Sequence, residues 1–492
     1  MEIIEMKKDD EKKMIEELRD TFKKGRTKSY AWRKTQLEGL LKMVVEQEVK
    51  CFEALHDDVG KSKVEAFKDE IGPVKKSIEY ALSCLKEWMS PKKAGIRLLF
   101  FPAKGEVIPE PYGLVLIMTS WNYPLDLALE PLVGAIAAGN VVVIKPSESA
   151  PSTSSFLAKT IPLYLDNTAI KVIEGGADTS QQLLQHKWDK IFYTGSAGVG
   201  RIIMTEAAKH LTPVTLELGG KCPMIFDYPS VSSNLKVAMR RLVSAKWGAC
   251  GGQACIAIDY LLVEEKFASS LIDLLNTIVK RFYGENIETL GGMSRVVNKR
   301  HFDRLRGFLK DPLVAASIVH GGSVDELKLL MEPTILLDPP LDSEVMNEEI
   351  FGPILPIITV KNIEDSIDFI NSRPKPLALY AFTNNEALKK RIVSETSSGS
   401  VTFNDVLVHY VCDELPFGGV GASGMGKYHG KYTFETFSHD KAVLHRGFFP
   451  DLSARYPPWN AFKLEFVRVG YALDYINLLL LLLGLRRYPT DY

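Results

Sequence analysis

Between Gly113 and Leu218 the short apolar runs GLVLIM, VVVI, IKVI, KIFY and VTLEL alternate with helix-like segments. Runs this short and this uniformly apolar fit strands covered on both faces, because a strand facing water alternates polar and apolar residues instead. The alternation therefore predicts βαβ units and a buried parallel sheet. A second region, from about Gly219 to Asn404, repeats the texture with pieces such as FASSLIDLLNTIVKRF and LPIITV, and implies another α/β layer. Before them, the stretch to about Trp88 reads as helical. Leu37, Leu40, Leu41, Val44 and Val45 form an apolar stripe at helical spacing. EVIPEPY, Glu106 to Tyr112, carries prolines that suit an edge strand or a crossing linker better than a central strand.

The chain of 492 residues is long enough for two or three domains. Its formal net charge of -1 provides no global field for nucleic acid. Six cysteines without a C-x-x-C pair fit a reducing compartment and neither a disulfide framework nor a zinc ribbon; no metal is expected. The start, MEIIEMKKDDEKK, is charged and lacks the apolar core of a signal peptide. A cytoplasmic enzyme is the expectation.

Several glycine strings invite nucleotide readings. GKS at Gly60 to Ser62 resembles the end of a phosphate loop, but the leading glycine would fall at Leu55. GVGASG at Gly419 to Gly424 has the literal spacing of a dinucleotide fingerprint, with no clear strand before it or helix after it. YTGSAGVGRII, from Tyr193, follows a strand-like run and opens a helix-like one, so its N–H groups face a phosphate in the functional reading. In the plain reading it is a strand-to-helix turn.

Other polar groups sit just past strands, where parallel sheets bind ligands. Asn122 in TSWNYPL is an oxyanion donor or a helix cap. Lys145 and Glu148 follow VVVI. Glu217 in TLELGGK is a buried general base or a carboxylate on a solvated edge. In KWGACGGQAC, Cys250 and Cys255 are a redox pair, core residues, or the seat of a thiol nucleophile. No histidine stands near as a base, and residue chemistry alone does not choose between the two cysteines.

Taken in order, TSWNYPL, VIKPSE, TGSAGVG, LELGGK, GQAC, EEIFGP and PFGG resemble an aldehyde dehydrogenase, over Thr119 to Gly426. Single pieces are weak; the ordered set is very specific. The length, SGSVTFNDV and PFGGVGASGMGKYHG are similar to the class-three branch, and to its plant members in particular.

The resemblance implies a Rossmann-type cofactor domain over 1–95 and 113–217 and an α/β catalytic domain over 218–439. It also implies oligomerisation strands near 96–112 and 440–460, a C-terminal apolar tail over 461–492, and at least a dimer. It implies Cys255 as nucleophile, Glu217 as general base, and Asn122 with the Cys255 N–H as oxyanion donors. For NAD, with NADP as the other candidate, it implies Lys145 and Glu148 at the adenosine ribose. Gly195, Ser196, Ala197, Gly198, Val199 and Gly200 form the phosphate loop. Glu349 and Phe351 fall at the nicotinamide ribose and ring. The implied reaction is oxidation of medium- to long-chain, lipid-derived aldehydes to acids, a detoxification. A cofactor-independent thiol esterase or acyltransferase is the alternative.

Three positions depart from the family pattern. Ile258 stands where many members carry proline, Gly251 where asparagine is common, and Ala422 where glutamate is frequent. The first two flank the nucleophile and are expected to loosen its loop.

The leucine run Leu478 to Leu483 lies in a tail whose apolar stretch is far below the ~20 residues a bilayer span needs. It is expected to dock on its own oligomer or to lie at a membrane surface, with Arg486 and Arg487 near lipid head groups.

Overall fold

The computed structural model describes residues 8–488. The charged opening MEIIEMK and the last four residues of the tail lie outside them. The chain divides into two units, one of residues 1–88 and 111–438, the other of residues 89–110 and 439–492.

In the first unit, the apolar runs form parallel strands Leu114–Met118, Val141–Lys145, Ile170–Val172, Lys190–Thr194 and Val214–Glu217. Numbered by chain order, they lie 3-2-1-4-5 across the sheet. This order places a switch point between Leu114–Met118 and Lys190–Thr194, and the crevice beyond the carboxyl ends there receives ligands. Register aligns those ends: Met118 faces both Lys145 and Tyr193, and Thr194 faces Glu217. Every residue of Leu114–Met118 and Val141–Lys145 is buried, which is why the runs do not alternate.

A second sheet has the order Ile318–His320, Thr334–Leu337, Ile354–Val360, Tyr260–Glu264, Pro223–Phe226, Ala378–Phe382, Ser400–Phe403. All its pairs are parallel except the one made by Ile318–His320. Leu262, Ile354, Leu336 and Leu379 contribute to one apolar core against flanking helices.

Some sequence expectations move. In the helix Tyr30–Glu46, Leu37, Leu40 and Val44 are buried, but Val45 is half exposed and Met43 takes its place in the core. Gly424–Met425, which begins at the last glycine of the GVGASG string, pairs antiparallel with Glu217 and Leu216 and so completes the first sheet. The chain thus returns to that sheet inside the 218–439 span.

The second unit holds a three-stranded sheet of Lys92–Ala94, Lys104–Pro111 and Ser438–His445. EVIPEPY lies in its middle strand, not at an edge. Its neighbour Lys92–Ala94 reaches only Gly105 to Val107, so Pro109 and Pro111 run past that ladder and cost it no hydrogen bond. The strands do not fill 96–112 or 440–460: Leu98–Phe100 is a 3-10 turn, and Pro450, Pro457 and Pro458 lack the N–H a ladder needs.

The tail folds as helices Ala461–Tyr471 and Tyr475–Leu482, which bury Phe466 and Leu481 against Ala454. Only one side of the leucine helix is covered: Ile476, Leu479 and Leu483 are exposed. Among the described residues no helix is long and apolar enough to cross a membrane.

Candidate active site

Four loops leave the carboxyl ends of the first sheet, and each carries expected site residues. Asn122 follows Met118 and is buried. Its side-chain amide donates to the Gln253 carbonyl at 3.0 Å. An amide has two N–H donors, so a second remains for a ligand oxygen.

The nucleophile loop is built on left-handed backbone. Cys250, Gly251 and Gly252 have φ of 50°, 61° and 81°. A Cβ on Gly252 would meet the Gly352 carbonyl oxygen at 2.4 Å, so that position admits only glycine. Gly251, with φ 61° and ψ 29°, is also left-handed, and a Cβ there would meet the Ser294 carbonyl oxygen at 2.7 Å, so the glycine that departs from the family pattern lets this loop pack closely on that segment and does not loosen it. Gln253 cross-links the loop. Its Nε2 donates to the carbonyls of Cys250 (2.8 Å) and Arg295 (2.9 Å), and its Oε1 accepts from Val297 N (3.1 Å).

This geometry separates the two cysteines. Cys250 is fully buried, and its thiol donates to the Asn122 carbonyl at 3.4 Å. Cys255 is partly exposed and shares with Asn122 a pocket of about 560 Å³. Leu127, Ile256, Phe282, Val406 and Val408 make its walls largely apolar. The charged groups along it are mostly matched, Lys68 to Asp69 at 2.5 Å and Arg241 to Asp405 at 3.4 Å.

Glu217 ends its strand buried, with neither carboxylate oxygen hydrogen-bonded. The solvated-edge reading is thereby excluded. Burial drives its pKa well above the usual carboxylate range. Cys255 is likewise raised, by burial first and then by the nearby charges of Glu349 and Glu217. The backbone N–H groups of Cys255 and Ile256 act in the opposite direction, so they face the sulfur. Burial thus favours the thiol form of Cys255 over the thiolate.

Lys145 is buried and donates to Glu148 at 2.8 Å. Burial opposes the charge of Glu148, but that hydrogen bond outweighs it and holds the carboxylate below its ordinary range. Ser196 caps the helix Ala197–Ala208, its hydroxyl accepting from Val199 N at 3.4 Å. Ser196, Gly198 and Val199 are exposed at this helix start, Gly195 and Ala197 half-buried, and Gly200 packs on Leu218.

Glu349 is half-buried, its Oε1 without a partner and its pKa pushed by burial to about 8. Its carboxylate fills the space a side chain at Gly219 would need, with Oε2 only 2.2 Å from a Cβ built there. Phe351 has a left-handed φ of 51° and packs edge-on to Trp121, centroids 5.3 Å apart. Strain of this kind clusters at ligand sites. An exposed helix start, a lysine–glutamate pair and a half-buried acid with one free oxygen form a donor and acceptor set that fits a dinucleotide.

Sequence reasoning missed the groups that hold these loops. Arg304 donates to the carbonyls of Glu349 (3.2 Å) and Ile350 (2.6 Å). Asp259 accepts from Ile350 N at 2.8 Å and pairs with Lys221. Lys61, Glu65 and Glu70 hold the Asn122 and Cys250 segments. The only signal for any of them was GKS, read as a failed phosphate loop.

Comparison with known proteins agrees with the motif order. The sequence profile of the aldehyde dehydrogenase family matches residues 1–443. The chain is 59% identical over 484 residues to aldehyde dehydrogenase family 3 member F1 of Arabidopsis thaliana, covering 98% of this chain and 100% of that protein. It is 46% identical over 455 residues to family 3 member A2 of Rattus norvegicus, covering 92% of each. The structure of a Staphylococcus aureus AldH in a substrate-bound state superposes with a TM-score of 0.90 at 42% identity, covering 94% of this chain and 99% of that one. None of these similarities supports the esterase alternative.

Proposed function

This chain belongs to the aldehyde dehydrogenase family, and from that premise we propose that it oxidises medium- to long-chain aldehydes to carboxylic acids at Cys255, with NAD(P). The observation carrying this reading is the apolar pocket of about 560 Å³ that has Asn122 and Cys255 in its wall. It is large enough for a small-molecule ligand, and its apolar side chains favour a hydrocarbon chain.

In the proposed reaction the Cys255 thiol gives its proton to solvent water as its sulfur bonds to the aldehyde carbon. The carbonyl π electrons move to oxygen, which accepts from the second N–H of Asn122 and from the Cys255 N–H. Losing one such donor typically costs about 10²–10³ in rate. Lys145, Glu148, the loop Gly195 to Gly200, Glu349 and Phe351 would hold the dinucleotide. When bound, it supplies the two-electron acceptor that converts the aldehyde carbon to the thioester level. Glu217 then takes a proton from water as that water attacks the thioester. The carbon–sulfur bond breaks, the acid leaves, and Glu217 passes the proton to the departing sulfur, which restores the thiol and the base.

The preferred aldehyde is tested by following NADH formation along a series of increasing chain length. Each buried methylene is worth about 0.8 kcal/mol, so kcat/KM is expected to rise about fourfold per carbon until the pocket is filled. A flat profile would remove the chain-length reading, and no NADH from any aldehyde would remove the reaction.

We further propose a cytoplasmic dimer with weak membrane contact. The six unbridged cysteines suit a reducing compartment. The eight-residue edge strand Ser438–His445 offers a free ladder to a second copy. The exposed face of Ile476, Leu479 and Leu483 supports an interfacial contact. Arg486 is paired with Glu465 at 2.8 Å, so of the two expected head-group contacts Arg487 is the better candidate.

A further inference from the structure

Gly60-Lys61-Ser62 is not a phosphate loop but a junction between two helices. Gly60 ends Glu48–Val59 in a left-handed conformation, φ 75°, and the Ser62 hydroxyl caps the next turn by accepting from Glu65 N at 3.2 Å. Lys61, between them, turns inward and leaves none of its side chain exposed. Its ammonium stands 2.5 Å from Glu70 Oε1, donates to the Asn122 carbonyl at 2.8 Å, and lies 3.9 Å from the centroid of the Tyr123 ring.

Glu70 sits in a π-helical turn, Phe67–Ile71, a local irregularity that recurs at functional sites. Its second oxygen accepts from Leu125 N (2.8 Å) and Asp126 N (3.2 Å). The ion pair therefore grips the Asn122 segment at Asn122 itself and again just beyond it. Glu65 does the same for the nucleophile loop. Its Oε1 accepts from Cys250 N at 2.8 Å, and Ser294 Oγ lies 3.0 and 2.9 Å from its two oxygens.

We propose that Lys61, Glu65 and Glu70 are positioning residues that set the spacing between the Asn122 amide and the Cys255 N–H by anchoring both segments to one stretch of chain. The proposal rests on the reading of those two groups as oxyanion donors. Stability alone does not account for the pair, since a buried ion pair is often replaceable by apolar residues at no cost. Geometry does: productive constellations tolerate only about 0.5 Å of error, and a misplacement of about 1 Å can cost 10²-fold in rate.

The test is a double-mutant cycle on the full-length enzyme. Lys61→Met with Glu70→Gln removes the charges while keeping volume and one acceptor oxygen. We expect its thermal transition to stay close to that of the parent. We expect kcat to fall about 10- to 100-fold, with the aldehyde KM within about twofold. Introduced into Asn122→Ala, the same pair should change kcat by less than about twofold further, because the donor it positions is gone. A full additive loss in that background would overturn the proposal, as would parental kcat in the folded double variant. If the double variant does not fold, Glu70→Gln alone, which keeps an acceptor for Leu125 N, goes through the same cycle and is judged the same way. Failure of the underlying reading looks different: Asn122→Ala by itself would then leave kcat unchanged.

Discussion

The Asn122 side-chain amide donates to the Gln253 carbonyl at 3.0 Å, so the loop after one strand of the first sheet is bonded directly to the loop that carries Cys255. Gln253 in turn spends its own amide on three backbone groups, those of Cys250, Arg295 and Val297. Each buried group left unpaired costs about 1–3 kcal/mol. Gln253→Ala is therefore expected to lower the melting temperature clearly and to reduce kcat. A variant as stable and as active as the parent would show that this bonding is dispensable.

Cys255→Ala should abolish aldehyde oxidation, because no other thiol shares the pocket with Asn122. Cys250→Ala removes two long hydrogen bonds, to the Asn122 carbonyl at 3.4 Å and from Gln253 Nε2 at 3.9 Å, and should retain activity within several-fold. Steady-state assays of the two variants decide the assignment, which is reversed if the Cys250 variant is the inactive one.

Glu217 must be deprotonated to act as a base, and burial raises its pKa. The rate of thioester hydrolysis should therefore climb with pH on the alkaline side of the ordinary glutamate range and fall as the medium is acidified. Glu217→Gln should lose this dependence and accumulate an acyl-enzyme, visible by intact mass. The same shift has a sign for stability. The folded state holds this proton more tightly than the unfolded chain, so its contribution is lost as pH rises through the folded pKa, and the glutamine variant should gain stability there. Parental turnover in the glutamine variant without any adduct would argue against the role.

Glu148 is held ionised by Lys145 at 2.8 Å. A carboxylate at the adenosine ribose accepts from a 2′-hydroxyl and repels a 2′-phosphate. NAD should be preferred over NADP, on the order of tenfold given the half-exposed site. Glu148→Gln should narrow the ratio; equal kcat/KM for both cofactors in the parent would refute the account.

Ile476, Leu479 and Leu483 are exposed, while Leu481 of the same helix is buried against Phe466. Replacing the first three with glutamate should abolish flotation with anionic liposomes without changing turnover. If the parent does not float, the helix is a packing element of its own unit.

Much of this was legible in the order of residues. Uniformly apolar runs such as VVVIK mark strands buried on both faces, and a run this short carries its own location in the fold. Loops that end such strands are necessarily near the crevice, which is why Asn122, Lys145, Glu148, Glu217 and Gly195 could be picked out from position in sequence. Gly251 and Gly252 also declare themselves, since few other residues accept left-handed backbone. Identity as an aldehyde dehydrogenase rests on the order of several such pieces rather than on any one.

Other properties belong to groups brought together from far apart in the chain, and no local pattern encodes them. Whether Glu217 faces solvent or core depends on what covers its strand, and Gly424, some two hundred positions on, is what pairs with it. The upward shift of the Cys255 thiol comes from burial first and then from Glu349 and Glu217, neither of them its neighbour in sequence. Lys61 stood only in an incomplete phosphate-loop motif until the fold set it against Glu70 and the Asn122 carbonyl. Secondary structure follows from periodicity along the chain, which the sequence carries by itself. Desolvation and ion pairing depend on distances through space, and those exist only once the chain has folded.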